Sequence, residues 1–424
     1  MSRQPRVLVT DAEHRSVLAT CRGLGAAGYR VSTIAGSRLA LGHWSRFSDE
    51  RITFAGPSED AERYVERLVQ VLRRGGYDVL VPGAEPSLLA ISQWRDAIEP
   101  HVHLGLPDHK VLHRALDKSL LLGHAASVGL APPRSVTCST IDEALAVAAR
   151  FPFPLIVKPT RSFVLTQGRR FVERLKGRVV TDATRLEAAL AAVGAPLVIQ
   201  EYTPRAAIVS YAGVRIGDEL LGLTVARYVR TYPKLIGSAA LAVTVAPAPR
   251  LTQQVEELIR LTGWCGIFEL ELLEFGDSRC GAIDFNPRPF GWMQLATGAG
   301  ANLPAVWCDH VLGRRSVSTA AARPGVYYRW EDADLRNTLA CLGEARFRDA
   351  AAVLRPRRGT VHALFKWDDP APLLARLLMG ARKLGPRHWR AGAERDPGGH
   401  ALGPRADGER RPIAAAHDAG QQAG

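Results

Sequence analysis

The residues of this chain that could do chemistry gather late in the sequence. Glu269-Leu270-Glu271 lies inside one apolar run, and Asp284-Phe285-Asn286 closes the next. In an extended strand alternate side chains share a face, which groups Glu269 with Glu271 and Asp284 with Asn286. If the two runs form a hairpin, carboxylates and an amide meet at one place. Hard cations such as Mg2+ take such oxygen donors and leave positions for water and phosphate. Glu271, Asp284 and Asn286 are therefore the candidate metal ligands. The neighbouring Ile267, Phe268, Leu270, Leu272 and Leu273 make acids costly there unless paired or metal-bound, which favours function over a solvated strand edge. Arg288 follows two residues after Asn286, where its planar fork can hold a phosphate or a carboxylate.

The lysines come next. The chain has only seven, and Lys118 on a helix and Lys158 at a strand end stand out. Each is a compact point charge suited to phosphate oxygens, although singly each reads as surface charge. Beside a magnesium site they point to a nucleoside triphosphate. The run ending in Gln200, Glu201 and Tyr202 can offer backbone donors, acceptors and apolar walls to an adenine, or serve only as a buried strand. Arg227, Arg230 and Lys234 lie on or after a later strand and are candidate contacts for a substrate carboxylate or phosphate; a basic surface strand is the plainer alternative.

The elements that must position these groups follow from periodicity. Apolar runs at 6–10, 29–35 and 78–82 alternate with helical patterns at 14–27 and 59–74, which implies a parallel sheet with helices on its faces. Gly23 to Gly28 spell GxGxxG but close a helix before a strand, the reverse of a dinucleotide-binding turn. One helix is expected over 110–127, another over 141–150, then strands at 154–158 and 196–202. Period-two runs at 208–214, 219–228 and 238–245 predict an antiparallel sheet, a helix is expected at 252–261, and 265–275 with 280–285 predicts the acidic hairpin. Helices are expected up to Gly300 and over 303–312. The segment 373–384 is amphipathic and basic, so it either packs on the core or lies on a membrane surface. The last forty residues are poor in large apolar side chains and read as a disordered tail.

Composition narrows the class. At 424 residues, 46% hydrophobic and 23% charged, the chain reads as a soluble globular protein of two or three domains. It has no apolar stretch long enough to span a bilayer. The six cysteines include no CxxC pair, which argues against a zinc ribbon or disulfide framework and makes a reducing cytoplasm the expected home. Net charge is +13, but much of it lies in 346–390 with no nucleic-acid-binding module, so a solvated basic face is expected rather than a nucleic-acid partner.

The order Asp117-Lys118-Ser119, Ile156-Val157-Lys158-Pro159, Gln200-Glu201-Tyr202, Glu269-Leu270-Glu271, Asp284-Phe285-Asn286-Pro287-Arg288 resembles the ATP-grasp superfamily. It is most similar to the branch of biotin carboxylase, the carbamoyl-phosphate synthase large chain and related carboxylate-amine ligases, over residues 6–315. The resemblance implies a mixed α/β and α+β architecture: a Rossmann-like parallel α/β domain over 1–107, a linker helix and small lid over 108–203, and an antiparallel-sheet domain over 204–315. A basic extension (316–384) and the tail (385–424) follow.

It further implies that Lys118 and Lys158 contact ATP phosphates, that Gln200, Glu201 and Tyr202 line the adenine pocket, and that Arg227 adds to the cofactor contacts. Glu271, Asp284 and Asn286 would hold Mg2+ or Mn2+, and Arg288 would stabilise an acyl phosphate. The implied reaction is attack of a small carboxylate on the γ-phosphate, then capture by an amine with release of ADP and phosphate. A homodimer is compatible with the resemblance. Two departures stand out: the stretch from Thr160 to Arg170 has one glycine where the family has a glycine-rich loop, and no acid follows Tyr202 where a ribose contact is expected. They leave open a catalytically degenerate ATP-binding protein or a biotin-carboxylase-like component that would need a separate carrier.

Overall fold

The computed structural model describes residues 3–166, 171–203, 206–233, 237–276, 279–315 and 319–384, with side chains described as far as 380. Lys234, residues 167–170, 204–205 and 277–278, and the tail 385–424 lie outside the described residues.

The chain opens with a four-stranded parallel sheet in the order Ser48–Thr53, Arg30–Ala35, Arg6–Val9, Val79–Val81. Val7, Leu8 and Val9 are fully buried, as strands covered on both faces require. Helices Arg15–Ala26 and Ala61–Gly75 accompany it. Gly23 and Gly25 lie inside the first helix, where a Cβ at 25 would run into the Phe47 ring. The glycine string is thus a close-packing device and not a phosphate loop.

The helix expected over 110–127 is two helices, His109–Ala115 and Lys118–Ser127. Asp117 breaks them: its side chain caps the second by accepting from the backbone N–H groups of Ser119 and Leu120. The Lys118 backbone N–H meanwhile donates to the Thr160 carbonyl at 2.8 Å, which pins the start of this helix beside the end of the Lys158 strand.

A second sheet, in the order Ser135–Cys138, Leu197–Glu201, Leu155–Pro159, Arg178–Val180, is antiparallel and closes over a small core of its own. A two-stranded hairpin, Phe163–Leu165 with Val172–Arg174, packs against helix Glu85–Gln93 of the first unit.

The third sheet has seven strands in the order Cys280–Asn286, Gly266–Glu274, Ala207–Ile216, Glu219–Tyr232, Ser238–Val245, Tyr327–Arg329, Val361–His362. Helix Pro249–Thr262 covers one face, with Val255, Leu258 and Ile259 buried. The last two strands come from the basic extension, which thereby adds an edge to the main sheet. Arg22 and Asp369 fasten this extension to the first unit by an ion pair at 2.9 Å, both side chains 2% exposed or less. Ser45 Oγ and the Arg46 backbone N–H also donate to the Asp369 carboxylate, each at 2.8 Å.

Candidate functional site

The acidic hairpin forms as its period-two pattern requires. Glu269 stands opposite Asn286 and Glu271 opposite Asp284 in the antiparallel ladder. The register slips at Ile283, and the Ile283 carbonyl accepts a hydrogen bond from Lys158 Nζ at 3.3 Å. That contact joins the second sheet to the third at the level of the acids.

Lys158 also donates to Gln200 Oε1 at 3.0 Å, and Gln200 Nε2 donates to Ser135 Oγ at 2.7 Å. Gln200 therefore has a side-chain role, bracing Lys158 from the neighbouring strand. Glu201 ends its strand half-buried, its backbone N–H donating to the Arg134 carbonyl at 2.9 Å, and Tyr202 follows, also half-buried. Lys118 Nζ is ion-paired with Asp284 Oδ1, with side chains 13% and 33% exposed. Arg288 folds back so that Nη2 donates to Asn286 Oδ1 at 2.8 Å and Nη1 to the Pro289 carbonyl at 3.0 Å, while Nε is buried without a partner.

Two residues not singled out from sequence complete the cluster. The Tyr228 hydroxyl lies 2.9 Å from Glu271 Oε1 and 3.1 Å from Glu269 Oε1. Trp292 Nε1 donates to Glu269 Oε1 and to the Tyr228 oxygen, the latter at 3.0 Å. Tyr228 arrives from strand Glu219–Tyr232, which is separated from the acids' strand by Ala207–Ile216 and bulges between Tyr228 and Arg230. Glu269 also accepts from Ser210 Oγ at 3.2 Å and from Asn286 Nδ2 at 3.2 Å.

The electrostatics follow from burial. Burial, with Glu269 and Asp284 close by, pushes the Glu271 carboxyl up to about 8, and burial also raises Glu269. Asp284 is the reverse: burial opposes its charge, but the Lys118 ammonium outweighs this and holds it below the usual carboxylate range. Lys118 shows the matching balance, burial against Asp284, and is raised. Burial and the nearby Lys118 lower Lys158 to about 8.

The structure does not bring Arg227 to this cluster. It projects from the face opposite Tyr228, is exposed, and pairs with Glu274 at 2.7 Å. Alternation along the strand is the reason, since Arg227 and Tyr228 are adjacent and only one can face the acids. Arg230 is likewise taken, by Asp334 on helix Glu331–Gly343 at 2.6 Å.

Glu271, Asp284 and Asn286 fit a hard divalent cation. Burial leaves Glu271 short of positive charge, and the donor set is all oxygen. Among the described residues no three His, Cys, Asp or Glu side chains gather as a metal cluster by themselves, so two carboxylates and an amide would leave the remaining positions to water and phosphate. No helix among the described residues is long and apolar enough to cross a membrane, and all six cysteines are unpaired.

No family model and no curated protein matches the sequence. Solved structures do match the fold. The ADP complex of N5-carboxyaminoimidazole synthetase from Staphylococcus aureus superposes with a TM-score of 0.57 at 12% identity, over 76% of this chain and 81% of that one. The biotin carboxylase domain of 2-oxoglutarate carboxylase from Hydrogenobacter thermophilus, with MgADP and bicarbonate, gives 0.59 at 15% identity, over 77% and 74%. L-amino acid ligase from Bacillus licheniformis gives 0.56 at 16%, over 73% and 75%. With its parallel opening sheet, its small antiparallel sheet and its large sheet carrying the acidic hairpin, the chain has the ATP-grasp fold.

Proposed function

We propose that this chain is an ATP- and Mg2+-dependent ligase that activates a small carboxylate as an acyl phosphate and couples it to an amine, releasing ADP and phosphate. The observation that carries the reading is the meeting of Lys118, Lys158 and Arg288 with Glu271, Asp284 and Asn286 where the second and third sheets touch.

The chain's own groups have defined tasks in this reading. Lys118 and Lys158 bind phosphate oxygens and offset the charge that builds as a carboxylate approaches the triphosphate. Gln200 holds Lys158 on aim, and the backbone from Gln200 to Tyr202 edges the adenine. Glu271, Asp284 and Asn286 would hold a magnesium ion, whose charge would offset that of the phosphates. Arg288, with one guanidinium N–H still unpartnered, is the group left to meet the acyl phosphate oxygens. The test is ADP release measured across pairs of candidate acids and amines. Equal substrate-stimulated release by wild type and Lys158→Ala would sink the reading.

A second reading, an ATP-binding protein without turnover, has one specific support: two of the site's cations already have partners within the chain, Lys118 in the Asp284 carboxylate and Arg288 in the Asn286 amide oxygen. It predicts calorimetric ATP binding with no ADP release under any acid and amine pair.

A further inference from the structure

Most of the large apolar side chains that this protein leaves in water lie in the basic extension. Of the twelve that stand exposed among the described residues, nine fall between residues 335 and 378. A single exposed leucine is ordinary, but so many in so short a stretch mark a contact surface.

The helices order them. On helix Glu331–Gly343, Leu335, Leu339 and Leu342 recur at helical spacing and all stand exposed, while Ala333, Thr338 and Cys341 are buried. Helix Ala371–Leu384 packs through Pro372 and Ala375 and leaves Leu374, Leu377 and Leu378 together on its outer face. Small residues inward and large apolar residues outward invert the usual arrangement of a surface helix. On helix Phe347–Leu354, Phe347 is 67% exposed, and Leu354, seven residues on, shares its face and is also exposed.

The three helices are tied to one another. Phe347–Leu354 packs on Glu331–Gly343. Arg376 pairs with Asp332, which lies three residues before Leu335 on the same side of its helix. Trp367, 89% exposed, stands on the connection into Ala371–Leu384, edge-on to the Phe365 ring at 4.9 Å.

The surroundings are cationic. Residues 346–390 carry eleven basic side chains against three acids. Those acids are already engaged, Asp349 by Arg346, Asp368 by Lys366 and Asp369 by Arg22. Arg348, Arg355, Arg357 and Arg358 flank the exposed Phe347 and Leu354 in sequence, and all four are exposed and in no ion pair among the described residues.

The occupant of this face has to be apolar where it meets the leucines and anionic where it meets the arginines. A second copy fails on charge, because a two-fold contact sets a patch against itself and would bring arginine to arginine. The forty residues after Leu384 fail on both counts: they hold six basic residues against five acids, and only Trp389, Leu402 and Ile413 as large apolar side chains. At 14 residues, helix Ala371–Leu384 is shorter than the about 20 a bilayer requires, so its apolar face can lie along a membrane and not through it.

We propose that these three helices form a docking face for an anionic lipid surface, with the exposed leucines, Phe347 and Trp367 entering the headgroup boundary and the arginines resting on lipid phosphates and carboxylates. The proposal does not depend on the ligase reading.

The test is flotation of the full chain with vesicles of phosphatidylcholine alone and of phosphatidylcholine mixed with phosphatidylserine, at low and at high salt. The protein floats with the anionic vesicles, not with the neutral ones, and less at high salt. Leu374→Gln, Leu377→Gln and Leu378→Gln combined weaken the partitioning by about 10-fold or more. Arg357→Gln with Arg358→Gln does so by a similar factor. Both variants change exposed side chains and melt as wild type does. The leucine variant separates a lipid surface from a purely anionic polymer, which would not feel the change. No flotation of wild type with anionic vesicles, equal flotation with neutral ones, or full partitioning of either variant overturns the proposal. So does a wild-type dimer in lipid-free sedimentation that the leucine variant dissolves, since the face would then belong to a second copy.

Discussion

Lys118 and Asp284 hold each other by an ion pair that spans from helix Lys118–Ser127 to strand Cys280–Asn286, and in the ligase reading both are needed elsewhere, by phosphate and by metal. Replacing Lys118 with Met should therefore do two things at once. MgATP affinity falls by about 10-fold or more, as expected for loss of a charge-assisted contact. Stability falls by about 1–3 kcal/mol, below the range for fully buried pairs because Asp284 is a third exposed. Calorimetry and urea unfolding read the two effects; full MgATP affinity in Lys118→Met would contradict the phosphate role.

Asp284→Asn keeps the volume and removes one of the two carboxylates offered to the metal. Magnesium-dependent ATP binding should weaken by about 10- to 100-fold, while any binding measured with EDTA present stays as in wild type. A variant equally responsive to magnesium would move the metal elsewhere.

Tyr228→Phe removes the one hydroxyl that touches both Glu269 and Glu271. Each buried oxygen left short of a donor costs about 1–3 kcal/mol, so a drop of that size in unfolding free energy is expected. Trp292→Phe should act in the same direction through Glu269, and the double variant should lose less than the sum, since both donors serve one carboxylate. Strict additivity in a double-mutant cycle would show that the three do not form one network.

The hairpin was legible because acids at two-residue spacing inside apolar strands can only share a face. Lys118 and Lys158 were legible by rarity. Tyr228 was not: an aromatic residue in a strand reads as core, and only the register, which sets Ala226 opposite Ser210 and Ser210 opposite Glu271, shows that Tyr228 shares the acids' face. The same alternation places Arg227 on the far face. Strand Ser48–Thr53 is short and polar, and the hairpin Phe163–Leu165 with Val172–Arg174 has only three residues a side, too few to show a period. Asp117 followed by Lys-Ser was a readable cap that the long apolar pattern around it masked.

Glu271 predicts an unusual pH response. Its carboxyl titrates near 8 in the folded chain and about 4.3 unfolded, so between those values the folded state holds a proton that the unfolded state has released. Stability of the metal-free protein then falls as pH rises from about 5 to about 8, by at most about 1.4 kcal/mol per pH unit for this one proton, and the contribution levels off above 8. Glu271→Gln should flatten that slope in chemical denaturation run at successive pH values. A slope that persists unchanged would assign the proton to another group.

Asp369→Ala would leave Arg22 buried with its charge uncompensated and deprive Ser45 and the Arg46 N–H of their acceptor. A loss of about 3–5 kcal/mol is expected. Thermal melting of the full chain measures it; a change under about 1 kcal/mol would mean that the extension is held on by its strands alone.

The carbonyl of Gly291, three residues past Arg288, is gripped from two sides, by Arg15 Nε at 2.9 Å and by the Tyr328 hydroxyl at 2.9 Å, and Arg15 itself stacks 3.6 Å above the Trp330 ring. These anchors lie more than three hundred positions apart along the polypeptide. During synthesis the turn bearing Arg288 can therefore settle only after residue 330 has left the ribosome. A nascent chain halted short of that point already holds Lys118, Lys158 and the acidic hairpin, and still lacks one of the two groups that grip the turn after Arg288.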